Sequence, residues 1–321
     1  MIYYIHEVTL VDFFYSYCTN RTFIPIVICL RRSIMNYQEF LNEIETTIGK
    51  NFDAACTVAI DKIKKNNGSI LDGLTIRDPS INIAPTIYLR PYYHRYLNGQ
   101  PICDIYEDIM ATYKSIIPKD NFDIERFICY DSIKESIVLK LINCEKNSEM
   151  LKDLPHMRLF DLAIIFQVLY SKDDKQLGTI TIYQSHLDLW NVTADDVYKE
   201  AINNTPKLLP AEIVNISSIV QIPYTAYEPP MYVITNQTRT NGASCILYHN
   251  VLKDLASILH SDLILIPSSI HEFIAFPANI CNDMEYYNDM VSTVNSTSVS
   301  DEEVLSDHVY MYSMSQDKIV Q

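Results

Sequence analysis

The chain has 321 residues, of which 48% are hydrophobic, with a formal net charge of −15. That hydrophobic share supports a packed core and excludes a disordered chain. A surface with a pI of about 4.9 repels phosphate backbones, so a nucleic-acid partner is not expected. Six glycines lie far apart, whereas phosphate-cradling and dinucleotide-binding loops need clustered ones. Eight cysteines are scattered without a C-x-x-C pair, which predicts reduced, mostly buried thiols in a cytoplasmic protein.

Residues 1–34 read poorly as structure. No cation precedes their apolar part, Glu7 and Asp12 interrupt it, and the apolar run 23–30 is too short for a membrane span. Arg31-Arg32 can be encoded AGG-AGG, a ribosome-binding sequence two codons before Met35. We therefore expect a non-native leader over 1–34, a start at Met35, and no membrane association.

From Met35 the pattern predicts a small module over 35–120. Phe40, Leu41, Ile44 and Ile48 share a helical face over 37–48, and Gly49 ends that helix. Strands are expected over 56–63 and 70–76 around an Asn67-Gly68 turn, then over 82–89. A short helix over 91–97 and a longer one over 102–117 follow, giving α-β-β-β-α.

The remainder, 121–321, reads as a larger module. A helix is expected from Phe122, a strand or helix over 136–143, and a short helix over 145–151. A long strand over 159–170, a polar turn over 171–176 and a return strand over 178–183 come next. Thr193 with Asp196 resembles a capping box, with its helix ending near Asn203, before Pro206. The stretch 207–230, with prolines at 210, 223, 229 and 230, reads as a linker. Strands over 232–235 and 243–248, a helix over 250–260 and strands over 263–266 and 270–276 give a β-β-α-β-β unit, whose first part, 231–260, repeats the order of elements at 159–203. A helix over 285–294 and an edge strand over 309–314 end the chain. The expected fold class is α+β with an antiparallel or mixed sheet.

Three groups of residues are candidates for chemistry. Cys245, Ser269, His271 and Glu272 are the reactive-looking ones, and a nucleophile among them would need a base within hydrogen-bond reach. His249, His271, Glu272, Asp307 and His308 lack metal-ligand spacing, so no metal and no cofactor is expected. Asn236, Arg239 and Asn241 lie on a polar loop whose single cation can grip a carboxylate or phosphate of a small molecule or protein partner.

The segments NNGSILDGLTIR (66–77), NIAPTIYL (82–89), NTPKLLPAEI (204–213), MYVITNQTRTNGASCILY (231–248), SDLILIPSSIHEFIAFP (261–277) and EEVLSDHVY (302–310) together resemble a family known only as a domain of unknown function, found largely in gut Clostridia. The likeness runs from Met35 onward. Residues 159–277 are more distantly similar in layout to a second uncharacterised family. Neither resemblance implies an activity. The functional expectation is a cytoplasmic binding or interaction protein, with a hydrolase-like enzyme using Cys245, Ser269 or His271 as the alternative.

Overall fold

The computed structural model of the protein describes residues 34–117, 121–172, 177–220, 230–280 and 283–321. All but the last residue of the expected leader over 1–34 and most of the polar turn over 171–176 lie outside these residues. The fold is α+β, and among the described residues every strand pairing is antiparallel.

The first unit follows its sequence closely. Helix α1 (Tyr37–Gly49) starts at a capping box between Asn36 and Glu39, which satisfies two otherwise orphan main-chain donors. Strands β1 (Thr57–Lys64), β2 (Ile70–Arg77) and β3 (Thr86–Tyr88) form one sheet in that order. Helices α2 (Arg90–Leu97) and α3 (Ile102–Ile116) complete the unit. The core is its own, with Phe40, Ile44, Leu74, Ile76, Ile105 and Ile109 all buried.

The second sheet is built on β6 (Leu162–Lys172). Strand β4 (Ile137–Asn143) pairs along one side of it. The other side is shared by β5 (His156–Leu159) and β7 (Leu177–Thr181). The region 136–143, left open between strand and helix, is therefore a strand. Two short helices, α4 (Ile124–Ile128) and α5 (Tyr130–Ile133), precede β4. Helices α6 (Gln184–Trp190) and α7 (Ala194–Leu208) follow β7. The Thr193–Asp196 capping box opens α7 as expected. Pro206 does not end that helix, because it falls in the last turn. Leu209 N still donates to Thr205 O at 2.8 Å, so the missing proline donor leaves the turn intact.

The third sheet has six strands in the order β13-β12-β10-β11-β9-β8. They are β8 (Ala211–Asn215), β9 (Tyr232–Asn236), β10 (Leu263–Ser269), β11 (Glu272–Pro277), β12 (Tyr310–Ser313) and β13 (Lys318–Val320). Strand β8 and the short helix α8 (Ile216–Val220) correct the reading of 207–230 as a linker. Pro210 flanks β8 rather than interrupting it. The expected strand over 243–248 is a 3-10 helix, Gly242–Leu247. Strand β9 is already paired with β8 on one side and β11 on the other, so no edge is left for a return strand. The segment instead turns inward as a buried wedge between the second and third sheets, against Ile137, Phe273 and Ala275 in one core. The repeated order of elements fails at this point. Helix α9 (Val251–Leu259) covers this core, and α10 (Met284–Ser298) covers the opposite face of the six-stranded sheet.

The units meet along residues 300–307. At the β1–β2 turn Asn67 adopts a left-handed backbone, φ 59°. Its side-chain amide donates to Asp301 O at 2.8 Å and Val304 O at 2.6 Å, and Asn66 Nδ2 donates to Glu302 O at 2.8 Å. Asn147 Oδ1 accepts from Asn67 N and its Nδ2 donates to Asn67 Oδ1, each at 2.8 Å. Asn143 Nδ2 donates to Leu305 O at 3.1 Å and Asn295 Nδ2 to Ser306 O at 2.9 Å. Asn67→Ala removes two carbonyl partners and forces a β-carbon residue without side-chain compensation into the left-handed region. We expect it to lower the unfolding free energy by about 2–4 kcal/mol, read as a fall in the urea midpoint.

Candidate functional site

The loop after β9 is built by one buried side chain. Asn236 is fully buried. Its Oδ1 accepts from Thr238 Oγ1 at 2.8 Å, Thr238 N at 3.1 Å and Thr240 N at 3.3 Å, while Nδ2 donates to Thr240 O at 2.9 Å. Arg239 and Asn241 both take positive φ, 53° and 54°, a strain that this internal bonding holds in place. Gly242 then passes so close to β9 and to the β10–β11 turn that a β-carbon would stand 2.3 Å from Thr235 Oγ1, 2.6 Å from His271 O and 2.7 Å from Asn236 N.

His271 fastens this loop to its surroundings. Its Nδ1 accepts from Asn241 N at 3.1 Å, which places the proton of the neutral ring on Nε2. Nε2 faces Glu303 Oε1 at 3.6 Å. Of the three expected ligand-binding residues, Asn236 and Asn241 are thus buried scaffolding. Arg239 stands at the exposed tip, 3.8 Å from Glu212.

The reactive-looking residues do not converge on a nucleophile and its base. Ser269 Oγ accepts from the main-chain N–H of His271 at 3.0 Å and does not touch its ring. Glu272 accepts from Ser268 Oγ at 3.2 Å. The Cys245 thiol donates to Thr235 O at 3.1 Å, and burial pushes it up to about 12. His249 is exposed. Among the described residues no three of His, Cys, Asp and Glu are grouped to hold a metal ion, and no helix is long and apolar enough to cross a membrane. The expectation of mostly buried thiols also needs correcting: of the five described cysteines only Cys245 is buried, while Cys103 and Cys129 are exposed.

A second surface escaped the sequence reading. Tyr170, Phe122, Phe127, His186 and Tyr183 form a chain of ring contacts, with centroids 5.2–5.9 Å apart, running from β6 through α4 to α6. Trp190 packs against Phe127 and donates Nε1 to Phe127 O at 3.0 Å. Burial holds the His186 imidazole below the usual histidine range, so the ring joins the cluster uncharged. Around these rings stand Ile124, Ile128 and Leu189, exposed by 56%, 50% and 56%, with Tyr170 and Tyr183 at 44% and 42%. Tyr130 packs against Trp190, with ring centroids 6.0 Å apart, and its hydroxyl is buried with no hydrogen-bond partner among the described residues. The rim carries Glu125, Arg126, Asp188 and Asp131, the last paired with Lys134 at 2.7 Å. Only the chain fold brings 122–130 beside 183–190.

The chain belongs to a family of unknown function, DUF5688, which matches residues 37–314. No curated protein and no solved structure matches it.

Two outcomes follow from this geometry. Asn236→Ala strips the loop of its organiser and should cost about 2–3 kcal/mol, whereas Arg239→Ala at the exposed tip should stay within about 0.5 kcal/mol. Parallel denaturant titrations compare them. In the native protein iodoacetamide should label Cys129 first, because the Ser132 hydroxyl and main-chain N–H hold its thiol below the ordinary range. Cys245 has no thiolate near pH 7.5 and should label only on unfolding, as peptide mass mapping over time would show.

Proposed function

We propose that this chain is a cytoplasmic protein-binding module whose working face is the aromatic surface of α4, α6 and the end of β6. The observation that carries this reading is the pair of exposed tyrosines, Tyr170 and Tyr183, joined by ring contacts through Phe122, Phe127 and His186, with exposed Ile124, Ile128 and Leu189 on the same short helices. Exposed apolar side chains scattered singly need no explanation, but a contiguous patch rimmed by polar groups marks an interaction surface.

Glu125 and Asp188 at the rim and the net charge of −15 favour a partner that combines apolar anchors with lysine or arginine flanks. They disfavour self-association, and they disfavour nucleic acid. Exposed free thiols at Cys103 and Cys129 suit a reducing compartment. No comparable observation favours acyl-transfer chemistry at Cys245, Ser269 or His271.

The test is site-specific photo-crosslinking in the source cells, with the crosslinker at Tyr183 and, as control, at Thr293 on the exposed face of α10. We expect one protein adduct that forms from position 183 and not from 293, and that disappears when Leu189→Asp is added to a chain whose circular dichroism is unchanged. Equal labelling from both positions, or an adduct indifferent to Leu189→Asp, would overturn the reading.

A further inference from the structure

Lys140 is the one charged residue of β4. Its neighbours Ile137, Leu139 and Leu141 enter the large core. Side chains alternate along a strand, so Val138, Lys140 and Ile142 face the other way, and Ile142 joins a small cluster with Leu151, Leu154, Ala163 and Ile165. Directly opposite Lys140 lies Ile165, and beyond it His156. Arg158 is placed the same way, through Ala163, opposite Ile142. The β1–β2 turn docks at this sheet through the Asn67–Asn147 bonds. It brings in Lys65, whose ammonium sits 4.4 Å from the centre of the Tyr88 ring.

This region reverses the character of the chain. Lys65, Lys140, His156 and Arg158 lie on or beside one sheet face of a protein carrying −15. None of them forms an ion pair among the described residues. Of the carboxylates nearby, Glu302 accepts from Ser69 Oγ at 3.3 Å, and Asp161 and Glu145 share the surroundings of the Cys144 thiol with Arg158. Arg158 Nε donates to Phe160 O at 2.9 Å, and His156 Nδ1 bonds Leu154 O at 2.8 Å. Both Lys65 and Lys140 are half-buried. Asn66, next to Lys65 in the chain, gives its amide nitrogen to Glu302 O, yet its Oδ1 is buried with no partner.

We propose that Lys65 and Lys140 form an anion site between the three-stranded sheet and the outer face of the four-stranded sheet, which takes a phosphate group. Two half-buried ammoniums without a carboxylate repel each other, and a bound oxyanion converts that repulsion into two charge-assisted hydrogen bonds. Phosphate fits better than a simple carboxylate, because a protonated phosphate also offers a hydroxyl to the orphan Asn66 oxygen. Desolvation, with the Lys65 charge acting in the same direction, lowers the Lys140 amine to about 8; no carboxylate acts the other way. The site is separate from the aromatic patch and does not depend on that reading.

Isothermal titration of the full chain with inorganic phosphate at pH 7, with ionic strength held constant by chloride, tests this. We expect one saturable phosphate per chain, at least about tenfold weaker binding in Lys140→Met and in Lys65→Met, and no change in Lys152→Met, whose lysine pairs with Glu149 on the surface. A second measurement needs no variant. Phosphate should slow acetylation of Lys140 by acetic anhydride, read by mass spectrometry, and should leave Lys152 unaffected. No saturable binding, binding unchanged by either substitution, or equal acetylation of Lys140 with and without phosphate would overturn the proposal.

Discussion

Asparagine amides hold the main chain of residues 301–306 from three directions. The β1–β2 turn reaches it through Asn66 and Asn67, the end of β4 through Asn143 with Asn147 behind it, and α10 through Asn295. Each amide meets a carbonyl in a segment that has no strand or helix partner of its own, and a buried carbonyl left unmatched would be unfavourable. The same segment supplies Glu303, whose main-chain oxygen accepts from Ile270 N and whose carboxylate faces His271. It also supplies Ser306, which donates to Asp161 Oδ2 at 2.7 Å, beside the Tyr310 hydroxyl on the same carboxylate. The two sheets of the larger unit, the first unit and the loop around Arg239 therefore share one strip of backbone.

What could be read from the sequence was what local periodicity determines. The face of Phe40, Leu41, Ile44 and Ile48, the Asn67-Gly68 turn and the Thr193–Asp196 box each depend on residues within a few positions of one another, and each formed as expected. The inward turn at Gly242 depends on β9 being flanked on both sides, a fact of sheet order rather than of residues 243–248 themselves. Strand β8 was hidden by Pro210, which flanks it. Asn236 and Asn241 showed their polarity in the sequence but not its direction, which proved to be toward its own loop for Asn236 and toward Gln167 of β6 for Asn241.

The two surfaces that carry functional weight were illegible for a related reason. Ile124, Ile128 and Leu189 are ordinary residues until α4 and α6 stand side by side. Lys140 is an ordinary surface lysine until Leu151, Leu154 and the β1–β2 turn remove much of its water. In both cases the informative property is a mismatch between a side chain and its surroundings, and surroundings exist only in the folded chain.

The asparagine strip also sets an order of assembly. Asn66 is bonded to a carbonyl 236 positions further along the chain. During synthesis the β1–β2 turn must wait for nearly all the rest of the protein before its amides find their acceptors. The first unit can stand during that interval because its hydrophobic core is drawn only from its own helices and sheet. Closure by contacts of such long sequence separation is slow. Until it occurs, the turn presents unmatched amides and two lysines to whatever else is in solution, so the nascent chain has a longer-lived exposed seam than its finished surface suggests.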